Sequence, residues 1–144
     1  MDFIKKTALS DLKFIAIQLL YIMTFGLASF SKWAESEVPD HFIERFSGSM
    51  FDLFSGSLIV AFYTIAVSET IIFVLFLISV AKMEWLKEKR KVFMETGLVV
   101  SLFVFFLIGF GLRATADFDG AAKLFFYFGV TLVALFIVEK AKTK

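Results

Sequence analysis

The chain has 144 residues, 59% of them hydrophobic, and a formal net charge of only +1. A soluble domain is about 45–50% apolar, so this surplus, with a mean hydropathy of +0.83, points to a small integral membrane protein. The lack of cysteine excludes disulfides, thiolate metal sites and a cysteine nucleophile, and the single histidine, His41, excludes bis-histidine haem ligation within one chain.

The N-terminus carries Asp2, Lys5, Lys6, Asp11 and Lys13 ahead of an apolar run from Leu12 to Phe30. A basic start, an apolar core and small residues near Ala28 also fit a secretory signal. The run is long for a signal core, so a retained first span is expected. Ser31 to Ser55 is the longest segment between spans. Within it Phe42, Phe46, Met50 and Phe54 recur every four residues, which predicts an amphipathic helix at the membrane interface or capping the bundle. Ser47, Gly48 and Ser49 are a possible break in it. Trp33 stands where interfacial aromatic belts occur.

Gly56 to Val80 is the strongest span. Its only ionisable side chain is Glu69, almost at its centre. About 20 apolar residues in a helix cross a bilayer, and a charge at that depth costs roughly 2.5–3.5 kcal/mol on insertion scales. A proton, a partner side chain, a polar cavity or a ligand must offset that cost. Helical spacing puts Phe62, Ile65, Ala66, Ile72, Phe73 and Phe76 on the Glu69 face. A structural tie from Glu69 to Gln18, or to a serine or threonine hydroxyl, is the plain alternative to a ligand site.

Further spans are predicted at about 96–112 and 123–138, which with 12–30 and 56–80 make four. The expected fold is an all-α, integral membrane four-helix bundle, one domain over residues 1–144, with the amphipathic segment between the first two spans. Short connections favour antiparallel neighbours, and Gly97 with Ser101 and Ser57 with Ala61 would let helices approach closely. Eleven lysines and arginines fall on the side holding both termini and the 81–95 loop, and four on the other. The positive-inside rule then predicts both termini in the cytoplasm, in a bacterial inner membrane.

Few groups can carry chemistry. The candidate ligand contacts are Glu69, Lys32, Gln18, Arg113 and Trp33. Gln18 shares a helix face with Asp11, Tyr21, Phe25 and Lys32, where hydrogen bonding between helices is its simpler use. Lys32 and Arg113 end their spans on the same side, as anchors or as anion contacts. No phosphate loop, metal-ligand spacing or Ser–His–Asp order is present. No catalytic or metal residue is assigned, no nucleic-acid partner is expected, and an independent enzyme is the last reading.

Three stretches, FGLASFSKW at 25–33 with the following VPDHFIERF, AVSETIIFVLFLIS around Glu69, and DFDGAAKLFFYFGVTLVAL at the last span, resemble the DoxX-like family of small four-helix membrane proteins. The resemblance covers most of the chain. It implies a non-catalytic membrane subunit or ligand-binding module linked to a redox protein partner, with quinone as the associated cofactor. It also implies an intramembrane pocket lined by Glu69 and Lys32, with Arg113 near its mouth. A small proton-coupled carrier using Glu69, a purely structural protein, and a homo-oligomer remain open alternatives.

Overall fold

The computed structural model describes residues 2–141, with side chains from Asp11 onward. It is all-helical: α1 (Asp2–Ala34), α2 (Asp40–Phe46), α3 (Ser57–Ala81), α4 (Val92–Ala114) and α5 (Phe118–Lys140). Segments Asp11–Ala34, Ser57–Ala81, Val92–Ala114 and Phe118–Lys140 are each long and apolar enough to cross a membrane. This is a four-helix membrane bundle with one short extra helix.

Apolar spacing decides the inner faces. On α3 the buried positions Phe62, Ala66, Glu69, Ile72, Phe76 and Ser79 follow steps of three and four, one face of a helix. On α1 they are Phe14, Gln18, Tyr21, Phe25 and Ser29. The remaining faces expose large side chains such as Leu27, Phe103, Phe126 and Val133, as helices bathed in hydrocarbon do.

Helix α1 packs on α3, α3 on α4, and α4 most extensively on α5. Lipid tails are as apolar as leucine, so close packing rather than water exclusion holds such helices together. Two glycines make that approach close. A Cβ at Gly26 would stand 2.8 Å from the Phe73 ring, and one at Gly97 would stand 2.7 Å from the Phe76 ring. A ladder of rings fills the middle: Tyr21 stacks on Phe76 at 4.9 Å, and Phe25 meets Phe105 at 5.3 Å. The Tyr21 hydroxyl and Thr131 share a hydrogen bond of 2.6 Å that closes α1 onto α5.

Several boundaries depart from the sequence reading. Helix α1 runs past Phe30 through Lys32, because the Lys32 charge is taken up within the bundle. Helix α4 begins at Val92 rather than Thr96. Glu84 reaches its first turn and accepts from the backbone N–H groups of Phe93 (3.0 Å) and Met94 (2.8 Å). Helix α5 starts at Phe118 because Asp117 caps it, accepting from the Gly120 N–H at 2.9 Å. The four-residue stripe from Phe42 to Phe54 is not one helix. Helix α2 ends at Phe46, Ser47 is extended, and Gly48 turns the chain at φ +71°. Phe42 and Phe46 face the bundle, while Met50 and Phe54 are exposed.

Register between the helices leaves a gap at one end of the bundle. The Ser29 and Thr70 hydroxyls meet at 2.7 Å, which fixes α1 against α3. From that point α1 continues only five residues, to Ala34, whereas α3 continues thirteen, to Ser57. At 1.5 Å per residue, α3 therefore overreaches α1 by about 12 Å. The Gly97–Phe76 contact puts α3 and α4 nearly level at the same end. The first turns of α3 and the last turns of α4 thus lack an α1 neighbour, and α2 occupies that place.

Candidate functional site

The site is built where α1 stops short. Glu69 sits in the middle of α3 on its buried face, and its side chain is 6% exposed. Lys32, in the last turn of α1, donates to Glu69 Oε2 at 2.8 Å. The partner of Glu69 across α1 and α3 is therefore Lys32 rather than Gln18. A charge this deep is tolerated when paired. The ammonium has three donors, and this bond uses one. The Lys32 side chain is 23% exposed, because it borders a cavity.

That cavity has a volume of about 510 Å³, inside the range of about 300–1,000 Å³ usual for small-molecule pockets. Its floor includes Lys32 and Ile65. Leu58, Phe62, Leu107 and Leu112 form its helical walls, and Phe42 and Phe46 of α2 roof it. Glu69 does not line it; Lys32 stands between. The roof is held by rings: Phe42 meets Phe62 edge-on at 5.2 Å and Phe46 at 4.8 Å. The Phe46 ring lies over the bare backbone of Gly111. The lining residues Ser31, Thr64 and Leu107 are themselves exposed, so the cavity opens at the bundle surface.

Charge around it is nearly balanced. Arg45 borders the cavity and pairs with Asp117 at 3.4 Å. Lys32 is matched by Glu69. Glu35 and His41 lie at the rim, both exposed. The cavity is thus an apolar, aromatic-roofed space whose polar floor keeps ammonium donors to offer.

The other sequence candidates lie elsewhere. Trp33 does not line the cavity; it is half-exposed and donates from its indole N–H to Thr70 at 2.9 Å. Arg113 does not border the cavity. It is exposed on the last turn of α4, and its guanidinium lies 4.3 Å from the centre of the Phe118 ring. The cavity's second cation is Arg45 of α2. Gln18 is near the opposite end of the bundle, fully buried, donating to the Ser79 hydroxyl at 2.8 Å.

Gln18 belongs to a second polar cluster that sequence reasoning missed. Ser79 passes the hydrogen bond on to Glu84 at 2.8 Å, and Glu84 caps α4. Beside it Lys91 is 2% exposed. Its ammonium donates to the Leu86 and Lys89 carbonyls at 3.0 and 3.1 Å and lies 4.4 Å from the Phe14 ring centre. Burial pushes the Lys91 ammonium below the usual lysine range; Asp11 and Glu84 pull it back, and Lys13 adds to the push. These groups tie the bundle together, and none borders the cavity. In the sequence they read as members of a basic loop, and no local spacing separates Glu84 or Lys91 from its exposed neighbours. Among the described residues, no group of three histidine, aspartate or glutamate side chains is placed to hold a metal.

No family model, curated protein or solved structure matches this chain.

Proposed function

We propose that this chain is a non-catalytic, ligand-binding membrane module, and that its cavity takes the ring of a quinone or a similar neutral carbonyl compound. The resemblance to the DoxX-like family motivates the quinone and a redox protein as partner. The observation that carries the reading is the floor of the cavity. Lys32 already has a counter-ion at 2.8 Å, yet it still faces the cavity with donors to spare. A neutral carbonyl can accept from that ammonium without disturbing the pair. An anion at that ammonium adds a second negative charge beside Glu69, and an unmatched charge at that depth costs roughly 2.5–3.5 kcal/mol. The aromatic roof suits a flat ring, because offset and edge-on ring contacts add about 0.5–1.5 kcal/mol each beyond area burial.

The test is binding of a decyl-tailed benzoquinone to the purified protein in lipid nanodiscs. Saturable binding is expected, at about one quinone per chain. Ile65→Trp, which fills the cavity from its floor, should abolish it while the protein stays folded.

The Lys32–Glu69 bond also favours a second reading, a purely structural pair. In that case Lys32→Met/Glu69→Met changes stability alone, and no quinone binds to the unaltered protein at any concentration. Absence of saturable binding would decide for this second reading.

A further inference from the structure

The end of α1 that carries Lys32 is fastened to two neighbouring residues of α3. Lys32 reaches Glu69, and the next residue, Thr70, receives two other α1 side chains. The Ser29 hydroxyl meets Thr70 Oγ1 at 2.7 Å, and the Trp33 indole N–H donates to the same oxygen at 2.9 Å. Thr70 Oγ1 in turn donates to the Ala66 carbonyl at 2.8 Å. A hydroxyl has one proton and two lone pairs. The Thr70 proton goes to Ala66, so Ser29 is the donor in its bond, and α1 takes both lone pairs. The hydroxyl is fully used.

Its place is what matters. Ser29 and Trp33 are four residues apart, about one helical turn, and Lys32 lies inside that turn. Trp33 is the last residue but one of α1. Helix ends fray, because their final carbonyls have no intrahelical partner and local opening there costs little. Half of Trp33 is exposed, so burial alone does not hold it down. A single oxygen of α3 therefore clamps both ends of the turn that carries Lys32. The bond to Glu69 cannot do the same work. The ammonium ends a flexible four-carbon stem, and one bond at 2.8 Å leaves the direction of its two spare donors open. That direction follows from where the Lys32 backbone stands. Neither Glu69 nor Thr70 lines the cavity; Lys32 is the group that does.

We infer that Thr70 is the positioning residue of the cavity: by clamping the last turn of α1 through Ser29 and Trp33, it keeps the spare Lys32 donors turned toward a bound carbonyl. This rests on the proposed function and goes further, because it names what orients the recognising group. It also gives Trp33 a part in the site without contact with the ligand.

Decyl-tailed benzoquinone in nanodiscs tests this. Thr70→Val keeps the shape of the side chain and removes the hydroxyl. It should weaken quinone binding about tenfold, the worth of one hydrogen bond from a charged donor, and Thr70→Ser should restore it. The infrared carbonyl stretch of the quinone at saturation separates aiming from mere stability. An ammonium bond lowers that stretch in the unaltered protein, and in Thr70→Val it should return toward that of free quinone. Trp33→Phe removes one of the two α1 bonds at an exposed position and should weaken binding about threefold; it decides the matter if Thr70→Val does not fold. Unchanged affinity in the variants, no rescue by Thr70→Ser, or a stretch that stays lowered in Thr70→Val overturns the inference and leaves the proposed function standing. Failure of the quinone to bind the unaltered protein overturns both.

Discussion

At the scale of single residues, the bundle holds charges by two different devices. Glu69 and Lys32 neutralise one another at 2.8 Å. Among the described residues Lys91 has no comparably close carboxylate; it is wrapped by two carbonyl oxygens and a ring, with Asp11 and Glu84 acting from further away. This difference has a pH signature. Lys91 in the folded chain has its pKa lowered from the ordinary value of 10.5. Between the lowered value and 10.5 the unfolded chain therefore holds more protons than the folded one. Stability contributed at this site must rise with pH through that window, and below it the burial penalty is present in full. Lys91→Met removes the titration. Unfolding followed against SDS at mildly alkaline pH should show stability rising with pH in the unaltered protein and a flatter profile in the variant. Identical slopes would count against a strained Lys91. The same scale shows what was legible in the chain. Glu69 stands out as the one charge in a mainly apolar stretch of 25 residues. Lys91 and Glu84 do not, because burial inside a charged loop is a tertiary fact without a local pattern.

At the scale of helices, the inner face of α3 was readable because its period is unambiguous: Phe62, Ala66, Ile72 and Phe76, named from spacing, are all buried. Helix ends were less readable. The start of α4 depends on Glu84, a cap reaching in from a residue eight positions before Val92, outside any short capping motif. Glycine positions had meaning that composition hides. Gly97 was noted as one of a small pair, and its actual role is to admit the Phe76 ring. Gly97→Leu must push that ring or the whole of α3 away, since even a Cβ stands 2.7 Å from it. Overpacking of this kind costs about 1–3 kcal/mol. The variant should unfold at lower SDS fraction by a corresponding amount, whereas Gly129→Leu, where nothing lies within 4 Å of a Cβ, should change little. Equal effects at both sites would mean that α3 and α4 are not in close contact.

At the scale of the whole molecule, hydropathy reveals how long each helix is but not how the helices are staggered, and the stagger is what makes the site. Four spans were expected, and among the described residues four helices are long and apolar enough to cross a membrane. The overreach of α3 past α1, about 12 Å at 1.5 Å per residue, was not visible, since it depends on which side chains meet across the seam. It has a consequence for depth. Level with the ends of α3 and α4, the α1 neighbour is missing, so the cavity and its roof α2 lie within the thickness of the bundle rather than above it. An interfacial amphipathic helix and a cap were the two uses foreseen for that segment, and the stagger selects the cap. Which compartment the roof faces is a matter of charge. Eleven of the fifteen basic residues lie on the side of the termini and the loop between α3 and α4, so the positive-inside rule predicts that side in the cytoplasm and α2 outside. The native chain contains no cysteine, which makes the prediction simple to check. Ser36→Cys and Lys87→Cys both place a thiol at an exposed position, at opposite ends of the bundle. A membrane-impermeant maleimide added to intact cells should label the first and reach the second only after permeabilisation. The reverse result would turn the module over, so that its cavity would lie at the cytoplasmic end of the bundle.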